Sequence, residues 1–448
     1  MAPSMAEWLP GDHLAWFVID AVDQIDTEAF TRAYRADGRG GAAHDPVMMV
    51  ALLVYAYCTG VVSSRRIEAA CVVDVAFRVI AGNQVPDHTT IARFRARHEQ
   101  ALGGLFTDVL RLCARAGMVN LGSVALDGTK MRAPAALAAN RSKDTITTQV
   151  EELLAAAGAA DAAEDAAHGT GSRGDEPPAQ LRARRDRISR FAAAKEQLEA
   201  AEKAARAEHE EHLRRRSEIE AQRGTKLRGR KPKAPGEKAT DKTKGGQVKT
   251  PRANTTDPDS RIMATRQGFV QGYNAQAAAT SGGQVIIAAE VTDETGDTHQ
   301  LLAMLEATRA SLVAAGIEEN VGDLLADAGY ASEANFASLG AQHPDCYVAT
   351  RNMRKNPEPR NGTRGPLRAG ASLVEKMDRK VSRKDGAARY RKRQGTIEPV
   401  FGQIKTGRHI TGFTRRGKPA ASAEWKLICA THNLLKLYRN QPPSPAPA

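Results

Sequence analysis

Three carboxylates stand in settings that could do chemistry. Asp127 and Asp327 each follow a short apolar run, in "LGSVALDGTK" and "VGDLLADAGY", and a glycine follows each within two residues. Both stretches read as buried strands that end on the acid and turn. Glu398 lies in "TIEPVFGQIK", near the start of a helix expected over 397–405, with Pro399 restricting that start. Taken singly, an aspartate after a strand is often a turn former or a helix cap. Taken together, three carboxylates brought close cannot all stay ionised without a cation. Oxygen-only ligands suit Mg²⁺, with Mn²⁺ as a substitute. Two such ions activate a water or a 3′-hydroxyl and stabilise the leaving oxygen in phosphodiester displacement.

The elements around these acids must bring them together. After the strand carrying Asp127, the chain reads as a hairpin through Ser281-Gly282-Gly283, a helix, the strand before Asp327, a helix, another strand and C-terminal helices. A hairpin followed by βαβ units implies a mixed sheet with helices on both faces. In such a sheet the two aspartate-bearing strands can lie side by side, and a later helix can carry Glu398 over them. Other polar residues lie nearby in sequence. Lys130 and Arg132 follow the first acid. Asn274 and Gln276 alternate along the hairpin strand, facing the active-site side or pairing across the sheet. Helix capping accounts for Asp293 and Asp297, and neither they nor His299 read as a metal site.

Six segments follow from composition and pattern. Residues 1–45 form a lead segment. Residues 46–120 read as an all-helical domain in which short helices joined by a turn carry Arg93, Arg95 and Arg97. This is either a helix-turn-helix arrangement that meets DNA or a bundle with a solvated basic face. Residues 121–134 hold the first core strand, and 135–256 look inserted. That insertion holds an acidic, alanine-rich part (151–170) and a long charged helix (179–222). Its apolar positions recur too weakly for a coiled coil, leaving a helical hairpin or a solvated helix. Residues 221–252 carry eleven Lys and Arg against two acids. Such a stretch cannot fold alone and would bind phosphates without reading sequence, or serve as a solvated linker. Residues 257–440 complete the core, and 441–448 form a disordered tail.

The chain has 448 residues, 42% of them hydrophobic, and a formal net charge of +12. That balance favours a polyanionic partner. Five scattered cysteines without a CxxC argue against a disulfide framework or zinc ribbon and for a reducing compartment. No stretch reads as a signal peptide or a membrane span. The expectation is a cytoplasmic protein.

The sequence resembles the bacterial insertion-sequence transposases of the DDE class from about residue 40 to 438. More closely, it resembles insertion sequence family eleven-eighty-two, with an InsH-type N-terminal domain. The motifs are "LDGTK" at 126–130, "DPDSRIMATRQGFVQGYNAQAA" at 257–278, "LLADAGYASEANF" at 324–336, "IEPVFGQIK" at 397–405 and "GFTRRG" at 412–417. The resemblance implies an α/β fold, an RNase H-like core interrupted by a helical insertion and preceded by an all-helical domain. It assigns Asp127, Asp327 and Glu398 as catalytic residues and ligands of two Mg²⁺ ions. Related transposases space a tyrosine, an arginine and a lysine around the glutamate as Y-x2-R-x3-E-x6-K. Lys405 sits at the expected offset, whereas Tyr390 and Arg393 fall one residue early and Gln394 takes the arginine's place. Lys405, Lys130, Arg393, Arg93 and Arg95 are the expected DNA contacts. The implied partners are double-stranded DNA, as element ends and as target, and a second copy of the chain on paired ends. A related nuclease that cuts without joining, or an inactive DNA-binding remnant, are the competing readings.

Overall fold

The computed structural model describes residues 7–32, 34, 43–152, 155, 179–226, 252–351 and 364–440. The chain forms two compact units, Met1–Pro134 with Met263–Ala448, and Ala135–Ile262.

The first unit begins with helices. The lead segment already contains α1 (Leu14–Asp23) and α2 (Glu28–Thr31), and α1 packs on α3 (Pro46–Cys58). Asp45 caps α3 by accepting from the Val47 and Met48 N–H groups, with Pro46 at the first position, where its missing N–H costs nothing. All residues from Met49 to Cys58 are buried, as their apolar run requires. The helical run of this domain is interrupted at two single residues. Asp74 is extended and splits α4 (Ser64–Val73) from α5 (Val75–Ile80), which it caps through the Ala76 and Phe77 N–H groups. His98 separates α6 (His88–Arg97) from α7 (Glu99–Arg115).

A six-stranded mixed sheet follows. Its strands are β1 (Ser123–Arg132), β4 (Arg261–Thr265), β5 (Gly268–Thr280), β6 (Ile286–Thr292), β7 (Asp323–Ala326) and β8 (Asp345–Val348). The order is β4-β5-β1-β7-β8, with β6 also paired to β5. β1 runs antiparallel to β5 from Val124↔Thr280 to Arg132↔Gly272, and parallel to β7 from Ser123↔Asp323 to Leu126↔Ala326. The hairpin through Ser281-Gly282-Gly283 joins β5 to β6, while β4 was not expected. The later helices are α10 (Gln300–Ala314), α11 (Glu333–Ser338), α12 (Leu373–Ser382), α13 (Lys384–Gly402) and α14 (Lys418–Arg439). α14 packs on α3, α7 and β6, so the N-terminal helices and the sheet share one core. Its Asn433 accepts from the Ile286 N–H (2.8 Å) and donates to the Ile286 carbonyl (2.7 Å), satisfying strand groups that would otherwise be buried unpaired.

The second unit holds β2 (Asn140–Ser142) paired antiparallel with β3 (Arg252–Asn254), a helix α8 over 143–152, and the long α9 (Ala179–Arg223). Phe191, Ala194 and Leu198 of α9 bury against Ile146 and Ala253. The rest of the alanine-rich and basic stretches (156–178 and 227–251) and the tail at 441–448 lie outside the described residues. Among the described residues, no helix is long and apolar enough to cross a membrane.

Candidate active site

Asp127 does not end its strand. β1 continues to Arg132, paired with β5 throughout, and Asp127 marks the point where its other neighbour, β7, leaves the sheet. The last parallel pair is Leu126↔Ala326, so Asp127 and Asp327 are the next residues on two adjacent strands. Asp127 Oδ1 accepts from the Gly128 N–H, and Asp327 Oδ1 accepts from the Gly329 N–H, both at 2.8 Å. The Asp127 side chain is 17% exposed. Burial pushes its pKa up to about 7; Arg393 opposes the rise, and Asp327 and Asp297 add to it.

Glu398 also sits differently from expectation. It lies late in α13, which starts at Lys384 and carries Pro399 inside it. Pro399 has no N–H for the Gly395 carbonyl, and Gln284 Nε2 donates there instead at 3.0 Å, which lets the helix continue. One face of α13 meets the acids. Arg393 Nη2 donates to Asp127 Oδ2 at 2.6 Å, with only 11% of its side chain exposed, while Gln394 faces outward. Arg393, expected at DNA, thus pairs with a site carboxylate. Burial works against its charge, but Asp127, Tyr390, Asp327 and Glu398 together hold its pKa above the ordinary value. Burial raises the Tyr390 pKa; Arg393 counters this, and Asp327, Asp127 and Glu398 add to it. Glu398 therefore acts electrostatically on the same cluster. As the side chains stand, no three His, Cys, Asp or Glu among the described residues gather closely enough to hold a metal ion.

The opposite face of the strand pair is polar. Gly128 and Lys130 lie across from Gln276 and Asn274. Asp297 joins them, with Oδ1 accepting from Asn274 Nδ2 (2.7 Å) and Gln276 Nε2 (2.8 Å). The expectation that Asp297 merely caps a helix is corrected, because its carboxylate is held by two strand amides and lies near enough to Asp127 to influence its charge. The alternation of Asn274 and Gln276 along one strand was the signal for this face. Asp293 pairs with Lys418 (3.1 Å) and His299 with Glu294 (3.0 Å), away from this cluster. Lys130 Nζ is buried 3.9 Å from Asp297 Oδ1 without a hydrogen bond. Burial lowers its pKa, opposed by Asp297, Asp127 and Asp327. Lys405 donates to the Lys130 carbonyl at 2.7 Å, and burial, aided by Lys130, lowers its pKa to about 8.

The two helix arginines part company. Arg93 is exposed on α6. Arg95 is 4% exposed and bonds to the Val62 carbonyl (3.1 Å), Glu424 (3.1 Å), the Tyr57 hydroxyl and Thr414 Oγ1. Its expected DNA contact is corrected: it sits on the inner face of an amphipathic helix, where the i, i+4 neighbours of Ile91 are buried.

Two family models match the chain, "Transposase domain (DUF772)" over residues 3–97 and "Transposase DDE domain" over residues 344–438. The second span contains Arg393, Glu398 and Lys405; Asp127 and Asp327 precede it. No curated protein and no solved structure matches the chain. A transposase domain at the N-terminal helices and a DDE domain around α13 together support an insertion-sequence DDE transposase.

Proposed function

We propose that the chain cleaves DNA strands at the inverted-repeat ends of its own insertion sequence and joins the freed 3′ ends to target DNA, using Mg²⁺. The observation that carries this reading is Asp127 beside Asp327 where two parallel strands part, with the glutamate-bearing α13 packed against them. The run β6-β5-β1-β7-β8, with β1 antiparallel to β5 and parallel to β7, supports an RNase H-like core. The quoted motifs favour insertion sequence family eleven-eighty-two.

The donor set fits a hard divalent cation. Asp127, Asp327 and Glu398 are all-oxygen ligands, and Asp127 is kept from ionising freely by burial, with Asp327 and Asp297 adding to it, the condition a cation relieves. When bound, Mg²⁺ or Mn²⁺ supplies an activated water or 3′-hydroxyl and charge stabilisation at the leaving oxygen. The chain's own residues do the rest. Arg393 pairs with Asp127 and offsets part of its charge. Lys130 and Lys405 hold positive charge beside the acids, where a phosphate backbone would approach. Arg93 offers a further contact on α6, independent of base sequence. Chemistry on paired ends implies a homodimer on DNA in the cytoplasm.

The test is a duplex carrying the element's terminal repeat, incubated with purified protein and Mg²⁺. Wild type nicks the duplex and joins a pre-cut 3′ end, while Asp127→Asn, Asp327→Asn and Glu398→Gln bind it without cutting. Normal cleavage by either asparagine variant rules out the triad. Cutting without joining identifies a nuclease instead.

A further inference from the structure

β7 pairs with β1 over only four residues, so Asp327 stands on a turn that the sheet itself does not hold. Asp297 lies across from that turn. It leads into α10, yet its carboxylate is committed elsewhere, and the helix's N-cap residue, His299, makes no side-chain capping bond. Asp297 Oδ1 accepts from Asn274 and Gln276, adjacent on one face of β5. The far end of the same Gln276 amide accepts from the Tyr330 hydroxyl. Thr298 Oγ1 donates to the Gly329 carbonyl at 3.1 Å. Asn335 Nδ2 joins the Thr298 carbonyl (2.6 Å) to the Tyr330 carbonyl (2.7 Å). These bonds tie β5 to the 327–330 turn, directly through Gln276 and by way of Asp297 and its neighbour Thr298.

The approach is close enough to dictate sequence. A Cβ on Gly128 would lie 2.3 Å from Gln276 Nε2 and 2.7 Å from both Asn274 Oδ1 and Asp297 Oδ1. One on Gly329 would lie 3.2 Å from Asp297 Oδ2 and 3.0 Å from Asp327 Oδ1. Gly128, read from sequence as a turn glycine, sits mid-strand and makes room for this cluster. Asn274 is fully buried, and its Oδ1 has no hydrogen-bond partner, so its amide is oriented by what its nitrogen gives to Asp297.

We propose that Asp297 is a positioning residue that fixes Asp327 against Asp127 before cation or DNA arrives. This rests on reading Asp127 and Asp327 as cation ligands. A carboxylate gripped by two amides beside Lys130 makes a rigid anchor, and loss of a group that orients a ligand typically costs about 10–100-fold in metal affinity.

The test is hydrogen exchange on the full-length, cation-free protein, followed by calorimetric titration with Mn²⁺. The variants are Asp297→Asn and Thr298→Val; the latter keeps the acid and removes only the hydroxyl bonded to Gly329. Both should speed exchange across residues 327–336 while leaving residues 123–132 unchanged. Mn²⁺ should bind about tenfold more weakly to Asp297→Asn, with a smaller loss for Thr298→Val. Exchange accelerated equally everywhere, or wild-type Mn²⁺ affinity in both variants, overturns the proposal. Asp127→Asn separates the two levels. If it binds Mn²⁺ like wild type, the cation-site reading fails and the proposal with it. If it loses Mn²⁺ while the other two variants keep it, only the positioning role fails.

Discussion

Two of the buried arginine–carboxylate pairs in one unit, Arg95–Glu424 and Arg393–Asp127, differ in how completely they are bonded. Arg95 and Glu424 form a closed set. Glu424 also accepts from the Tyr57 hydroxyl (2.7 Å), the Thr414 N–H (2.9 Å) and Thr414 Oγ1 (2.8 Å). Arg393 and Asp127 form an open one. Arg393 Nε is buried without a partner, and Asp127 is pushed up to about 7 despite its cation. The first pair ties α6 and α3 to α14, whereas the second leaves charge unsettled where β7 parts from β1. Incomplete neutralisation, rather than burial or the presence of an ion pair, separates the candidate site from the scaffold.

The largest expected effect breaks the open pair chemically. Asp127→Asn or Asp327→Asn should lower strand cleavage on element-end DNA by on the order of 10³-fold, the equivalent of several kcal/mol of charge stabilisation. Thermal midpoints should change little. Next comes a contrast in stability by urea unfolding near pH 7. Arg95→Met should cost about 3–5 kcal/mol, because it leaves Glu424 buried without its ion partner. Arg393→Met should cost about 1 kcal/mol or less, because Asp127 can take up a proton instead. Equal costs would erase the distinction between the pairs.

The effect of pH sharpens it further. Asp127 holds its proton more tightly folded than unfolded. Its contribution is therefore fully present below about pH 4 and is lost as pH rises to about 7, at up to about 1.4 kcal/mol per unit. His432, buried on α14 with Nε2 at 3.0 Å from the Gln284 carbonyl, runs the other way. Burial lowers its pKa to about 3, so its contribution is present above pH 6.5 and lost as pH falls toward 3. The two slopes oppose each other between about pH 4 and 6.5. Asp127→Asn should therefore steepen acid destabilisation in that window, and His432→Gln should flatten it, as read by urea midpoints across pH. A steric test stands apart from charge: Gly128→Ala should cost about 1–3 kcal/mol in the same assay by forcing Asn274, Gln276 and Asp297 apart.

These comparisons also mark how far the residues alone could be read. Apolar runs and capping residues announced the strands around Asp127 and Asp327 and most of the helices, since burial and N-terminal caps are local in sequence. Strand length was not local. β1 continues past Asp127 because β5 pairs with it, a contact 140-odd residues away in the chain. Arg95 looked like Arg93 because both are basic on one helix; only the partner residues, Glu424 and Thr414, distinguish them. Asp297 was passed over for the same reason. A polar residue before a helix has an ordinary local explanation, and the amides that claim it come from another strand.

The nine-residue pairing of β1 with β5 has a further consequence for how such a chain can vary. It clasps the strand that leads out toward Ala135 to the strand that follows the return at Met263. Whatever lies between is, to the acids, a loop whose ends are already joined. Doubling its length adds only about 0.6 kcal/mol of closure entropy. The intervening unit can lengthen, shrink or be exchanged as a cassette, while Asp127 stays in register with Asp327.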